Sequence, residues 1–106
     1  MKNDNSPIKV GALFSSTGVT AVVEQTQLNA VRLAVAEVNR GGGVLGRELQ
    51  LVEQNPESNP KLFQQMAELL LTQNKVTTIF GCYMSSTRKA VLPTIEKLGG
   101  LLVYPT

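Results

Sequence analysis

Near its beginning the chain contains the stretch IKVGALFSSTG, residues 8–18. The mostly apolar run Ile8–Phe14, closed by small polar residues and a glycine, is typical of a buried β-strand that enters a turn. From about Ala21 the apolar residues instead recur at steps of three and four, as on one face of a helix; they are Leu28, Val31, Val35 and Val38. A strand followed directly by an amphipathic helix is the unit from which α/β folds are built.

The same unit recurs along the chain. Further predicted strands cover Glu48–Val52, Val76–Phe80 and Leu101–Tyr104, and further helices run from Pro60 to about Thr72 and from about Thr87 to Leu98. The order is therefore β-α-β-α-β-α-β. Strands this apolar favour a parallel sheet with helices on both faces. Right-handed crossovers and short loops favour the strand order 2-1-3-4.

Two helix ends carry clear local signals. Asn59 is a favoured N-cap, and Pro60 suits the position that follows it. The first helix must stop at the three glycines 41–43, because glycine in a helix interior is entropically costly. We expect the first of them, Gly41, to take the left-handed conformation that commonly ends a helix.

Composition excludes several classes of protein. With 106 residues, 42% of them hydrophobic and 17% charged, the chain suits one globular domain. We expect residues 1–7 to be a disordered leader and residues 8–106 to be folded. The net charge of +2 comes from scattered lysines and arginines, which argues against direct binding of nucleic acid. No apolar run is long enough for a membrane span or for a signal-peptide core.

Residues that support catalysis are scarce. The chain has no histidine, which excludes Ser–His pairs, Cys–His pairs and imidazole metal ligands. The single cysteine, Cys82, forms no internal disulfide, and we interpret it as a small buried hydrophobe. We therefore expect a protein that is not an enzyme and that holds neither a metal nor a cofactor.

Candidate ligand-binding residues cluster where the predicted strands end. In an open α/β sheet ligands bind at the carboxyl ends of the strands. Small hydroxyl side chains and the two tyrosines of the chain lie at these positions; the candidates are Ser16, Thr17, Tyr83, Ser85, Tyr104 and Thr106. Hydroxyls supply neutral hydrogen-bonding groups and tyrosine rings supply flat apolar walls. The alternative is that these residues only make turns, cap helices and pack at the rim.

The positive charges at the start of the third predicted helix have two interpretations. Arg88 and Lys89 fall in the first turn of the third helix, where a positive charge is unfavourable. They are either solvated or close to a polar or anionic ligand group.

The loop Phe14–Thr20 is similar to the phosphate loop of flavodoxin-like FMN proteins, whose sheet has the same strand order. A flavodoxin-like FMN-binding redox module is therefore the alternative to a non-catalytic receptor.

Three segments resemble one family. They are Ile8–Gly18, Ala36–Arg47 and Gly81–Pro93, and together with residues 101–106 they are similar to type I periplasmic-binding-protein-like receptors over nearly the whole chain. The segment Gly81–Pro93 is most similar to the group that senses short aliphatic amides and urea. This group includes the regulators of aliphatic amidase operons and the receptors of urea and amide ABC transporters.

The resemblance implies a receptor of two α/β lobes that close on a small neutral amide or urea. Tyr83 and Tyr104 would be aromatic walls, and Ser85 and Thr106 would hydrogen-bond the amide. Residues 8–106 would be the first, truncated part of lobe one. An amidase-operon regulator is cytoplasmic and sequesters an antitermination regulator protein, whereas transporter receptors, including those for branched-chain amino acids, are periplasmic. The lack of an export signal favours the cytoplasm.

The last predicted strand, Leu101–Tyr104, lies at one edge of the order 2-1-3-4. It is apolar and contains neither lysine nor proline, so nothing in it discourages pairing with another chain. We expect the chain to self-associate as a dimer that buries this strand and the neighbouring helix surface.

Overall fold

In the computed structural model, which describes residues 6–104, seven elements follow one another as predicted. The strands are β1 (Ile8–Leu13), β2 (Leu49–Gln54), β3 (Thr78–Gly81) and β4 (Leu101–Val103), and the helices are α1 (Ala21–Arg40), α2 (Pro60–Thr72) and α3 (Ser85–Lys97). All strand pairs are parallel, and the sheet order is β2-β1-β3-β4. The predicted fold class and strand order are confirmed.

Alternating side chains of the strands divide the core between the two faces of the sheet. Ala12 and Phe14 pack with Leu28 of α1 on one face. Leu13 and Ile79 point to the opposite face, where α2 and α3 contribute Phe63, Ala67, Leu70, Val91 and Ile95. Burial of both sheet faces explains why the strands are so apolar.

The register brings the carboxyl ends of the strands to one rim. β1 pairs with β2 along its whole length, from Ile8 with Leu49 to Leu13 with Gln54, and it pairs with β3 up to Leu13 and Gly81. At Gly81 a Cβ atom would lie 2.6 Å from the carbonyl oxygen of Leu13. The strands therefore approach one another closely only because this residue has no side chain.

Several element boundaries differ from the predictions for identifiable reasons. Gly41 has φ −85°, so the prediction of a left-handed residue there is wrong. Its N–H donates to the carbonyl of Glu37, which continues the helical turn, and Gly42 and Gly43 take the positive φ values instead. β3 begins at Thr78, not at Val76, because the N–H of Val76 donates to the carbonyl of Leu70 in α2.

Part of the apolar surface on the α1 face of the sheet is uncovered. Leu101 and Val103 of the edge strand β4 are 60% and 38% exposed. Beside them is an apolar groove of about 230 Å³; its lining includes Val10, Val35, Val38, Leu49 and Phe80. Among the described residues, no helix has both the length and the apolar character that a membrane span requires.

Candidate ligand-binding site

An open pocket of about 440 Å³ lies at the rim, where β3 and β4 end. Its lining consists of Tyr83, Met84, Ser85 and Tyr104. The structure thus brings together three of the six candidate residues, from two different loops. Thr106, the fourth candidate of this group, lies outside the described residues.

A sharp turn after β3 places Tyr83 at the rim. Cys82 has φ +70°, a conformation that side chains other than glycine rarely adopt. Its N–H donates to the carbonyl of Leu13 at 3.1 Å, and its side chain is fully buried in the core. The core therefore anchors Cys82 in this strained conformation, and the next residues turn outward to form the pocket.

The Cys82 thiol itself takes no part in chemistry at the rim. Burial, together with the nearby charge of Glu24, raises the pKa of Cys82 to about 12. A thiol with this pKa stays protonated near neutral pH and is a poor nucleophile. The structure agrees with the interpretation of Cys82 as a buried hydrophobe.

Three contacts fix the side chain of Tyr104. Its ring packs against the core cluster that includes Cys82 and Val91. Its hydroxyl donates a 2.7 Å hydrogen bond to the backbone carbonyl oxygen of Tyr83. The guanidinium carbon of Arg88 lies 5.1 Å from the centroid of its ring. The Tyr104 ring is half-buried and lines the pocket, whereas its hydroxyl is already engaged. Tyr104 is therefore suited to form a wall of the pocket.

The N-terminus of α3 opens onto the same pocket. α3 begins at Ser85, two residues before the predicted start, because Met84 takes the extended N-cap conformation. The N-cap position is held by Met84, whose side chain makes no capping hydrogen bond, so Ser85 is the first residue of α3 and not its cap. The first turn contains no acidic residue. At this end of α3, backbone N–H groups and the positive end of the helix dipole lie beside the exposed Ser85.

Ser16 and Thr17 lie in a different part of the rim. The N–H of Ser16 donates to Oδ1 of Asn55 at 3.0 Å, and Nδ2 of Asn55 donates to Oγ1 of Thr17 at 3.1 Å. Ser16 and Thr17 are exposed, and their hydrogen bonds to Asn55 tie the loop after β1 to the loop after β2. Ser16 lines a smaller cavity of about 200 Å³ with Asn55 and Arg32. The structure does not bring Ser16 and Thr17 into the lining of the pocket formed by Tyr83, Met84, Ser85 and Tyr104, which we call the tyrosine pocket.

Sequence reasoning missed the role of Glu24. Its side chain is 1% exposed, and its carboxylate accepts hydrogen bonds from the N–H of Ser15 at 2.8 Å and from the hydroxyl of Thr20. Ser58 joins the same network, since its N–H donates to Oγ of Ser15 at 2.7 Å. Thr20 and Glu24 are one residue further apart than the two partners of a capping box, so no spacing in the sequence indicated this role.

This network also bears on the FMN alternative. The N–H groups of Ser15, Ser16 and Thr20 already donate to side chains of Glu24, Asn55 and Ser58. A phosphate loop needs such N–H groups free, and a buried carboxylate beside them repels an anion. The loop after β1 is therefore unsuited to hold a phosphate in this conformation.

Comparison with known proteins agrees with the resemblance at the level of the family. Residues 8–106 match the family described as a periplasmic binding protein domain. Leu/Ile/Val-binding protein homolog 7 of Brucella melitensis is 30% identical over 97 residues, which are 92% of this chain and 24% of that protein. Leu/Ile/Val-binding protein homolog 8 of Brucella abortus is 30% identical over 94 residues, 89% of this chain and 23% of that protein.

Solved structures give the same result. The branched-chain amino acid transporter substrate-binding protein LivJ of Streptococcus pneumoniae, in complex with isoleucine, superposes with a TM-score of 0.92 at 28% identity, over 94% of this chain and 29% of that one. An amino acid ABC transporter substrate-binding protein of Pseudomonas fluorescens gives a TM-score of 0.83 at 26% identity, over 94% of this chain and 26% of that one.

These comparisons correct the expected compartment of the protein and favour one of its two expected receptor functions. The chain spans about a quarter of the length of the curated relatives that it matches. The expectation of a cytoplasmic protein is wrong, because the matching family is described as periplasmic, the curated relatives are named Leu/Ile/Val-binding proteins, and the Streptococcus structure is named a transporter substrate-binding protein. The same names favour the transporter-receptor alternative over the amide-sensing regulator. The match of residues 8–106 shows that this chain belongs to the periplasmic binding protein family.

Proposed function

We propose that this chain forms part of the ligand-binding lobe of a solute receptor that serves an ABC transporter on the periplasmic side of a membrane. In this proposal the protein is not an enzyme, and it binds a small molecule at the rim of the sheet. The observation that carries the proposal is the pocket of about 440 Å³ that joins Tyr83, Ser85 and Tyr104 at the N-terminus of α3.

The first ligand class that we propose is an apolar amino acid such as isoleucine. Its carboxylate would meet the free N–H groups and positive dipole at the start of α3, with the hydroxyl of Ser85 as an additional donor. Its side chain would lie against the rings of Tyr83 and Tyr104. The names of the Leu/Ile/Val-binding relatives and the isoleucine held by the Streptococcus protein support this class.

A short aliphatic amide or urea is the second candidate. None of the four described lining residues is acidic, so the pocket offers no counter-charge for the ammonium group of an amino acid. A neutral amide needs no such counter-charge, and its carbonyl oxygen could accept from the same N–H groups. An antitermination partner belongs to this second candidate alone.

Titration calorimetry with separate solutions of isoleucine, acetamide and urea distinguishes the candidates. The proposal predicts binding of isoleucine, whereas binding of acetamide or urea alone would favour the second candidate. Absence of heat with all three compounds would count against both ligand classes. FMN serves as the control for the redox alternative, and we expect no binding of it.

A further inference from the structure

Arg88 occupies a position that is unfavourable on two counts. Its Nε atom is buried and has no hydrogen-bond partner within residues 6–104, and burial of a donor without an acceptor is unfavourable. It also lies in the first turn of α3, where the helix dipole opposes a positive charge and no acidic residue compensates. The favourable contact that offsets both is the face of the Tyr104 ring, 5.1 Å away.

Tyr104 in turn needs support from side-chain contacts. The pairing of β3 with β4 ends at Phe80 and Val103, so Tyr104 lies one residue beyond the last paired position of an edge strand. The backbone of the sheet therefore does not fix its ring. Its side-chain contacts do so: packing of the ring against the hydrophobic core, the hydrogen bond of its hydroxyl to the carbonyl of Tyr83, and the guanidinium of Arg88 against its ring.

We propose that Arg88 is a positioning residue, which holds the ring of Tyr104 in place as a wall of the ligand pocket. The guanidinium acts on the ring and not on the ligand, because Arg88 is not among the residues that line the pocket. The consequence for binding rests on the proposed function. The Arg88–Tyr104 contact is a property of the chain without ligand and is tested separately.

The first test uses the full chain without ligand and follows the ring resonances of Tyr104 by NMR. Arg88→Met, which removes the charge at similar length, should shift these resonances, and Arg88→Lys should retain most of the wild-type shift because it keeps a cation. Lys97→Met, at the other end of α3, is the control and should leave them unchanged. Ring resonances unaffected by Arg88→Met in a folded chain would overturn the proposal.

Should Arg88→Met fail to fold, the contact is tested from its other side. Tyr104→Leu removes the ring that faces Arg88, so the Nε–H resonance of Arg88 should move. An unchanged Nε–H resonance in that variant would overturn the proposal equally.

The second test measures binding of isoleucine. Arg88→Met should lower its affinity about fivefold, the size expected for loss of one cation–π contact, and Arg88→Lys should restore most of it. In a Tyr104→Leu background Arg88→Met should have no further effect, and an equal loss there would overturn the proposal. If the unmodified chain does not bind isoleucine, the first proposed ligand class fails, and the ring resonances still decide whether Arg88 positions Tyr104.

Discussion

The hydroxyl of Tyr104 donates a 2.7 Å hydrogen bond to the backbone carbonyl of Tyr83, and this bond joins the two loops that form the tyrosine pocket. Replacement of Tyr104 by Phe removes the bond and leaves the ring in place. We expect the free energy of unfolding in urea to fall by about 0.5–1.5 kcal/mol. Tyr83→Phe is the matched control, because Tyr83 takes part through its carbonyl, and a loss of equal size there would contradict this account.

Glu24 should stabilise the loop after β1. In Glu24→Ala the buried N–H of Ser15 loses its acceptor, which should lower the free energy of unfolding by about 1–3 kcal/mol. Glu24→Gln keeps an acceptor for Ser15 and a polar group for Thr20, so it should cost less. Denaturant unfolding of the two variants compares them, and equal stability of the alanine and glutamine variants would show that the network does not support the loop.

Gly81 should tolerate no side chain. A Cβ atom there would lie 2.6 Å from the carbonyl oxygen of Leu13, so Gly81→Ala must push β1 and β3 apart. We expect a loss of about 1–3 kcal/mol, as for other overpacked core positions. Gly41→Ala is the control: its φ is −85° and its Cβ would have only ordinary contacts at 3.7 Å, so thermal unfolding should show a neutral or slightly stabilising effect.

The predicted dimer would bury the open edge of β4. Leu101, 60% exposed, lies on the uncovered α1 face of this edge strand. A charged residue in an edge strand opposes pairing with another chain, so Leu101→Lys should shift the chain towards the monomer in light scattering at micromolar concentration. Leu45→Lys, at a position 95% exposed and distant in the sequence from β4, should not. A wild-type chain that is monomeric throughout would contradict this prediction.

The fold could be predicted from the sequence because the spacing of apolar residues and the caps of helices determine where its elements lie. The period change at about Ala21 and the cap at Asn59 predict helix starts that the structure confirms. The start of α3 was predicted two residues late because the apolar pattern around Met84 does not indicate an extended N-cap. Boundaries of this kind depend on single backbone conformations.

The site was only partly predictable. Tyr83, Ser85 and Tyr104 follow strands that end at one rim, so strand order was enough to group them. Burial of Glu24 and the Arg88–Tyr104 contact depend on which loops meet in three dimensions, and no spacing in the sequence indicates that. Ser16 and Thr17 were grouped with the tyrosines because strand order does not show that Asn55 binds them.

The most direct measurement of the central claim is intrinsic tyrosine fluorescence during titration with isoleucine. The chain has no tryptophan, and its two tyrosines both line the pocket, so any change in emission reports on the site itself. We predict a saturable change in emission that Ser85→Ala weakens by about tenfold to a hundredfold in affinity, because a hydrogen bond to the ligand is lost. Emission that stays constant throughout the titration would contradict the assignment of isoleucine to this pocket.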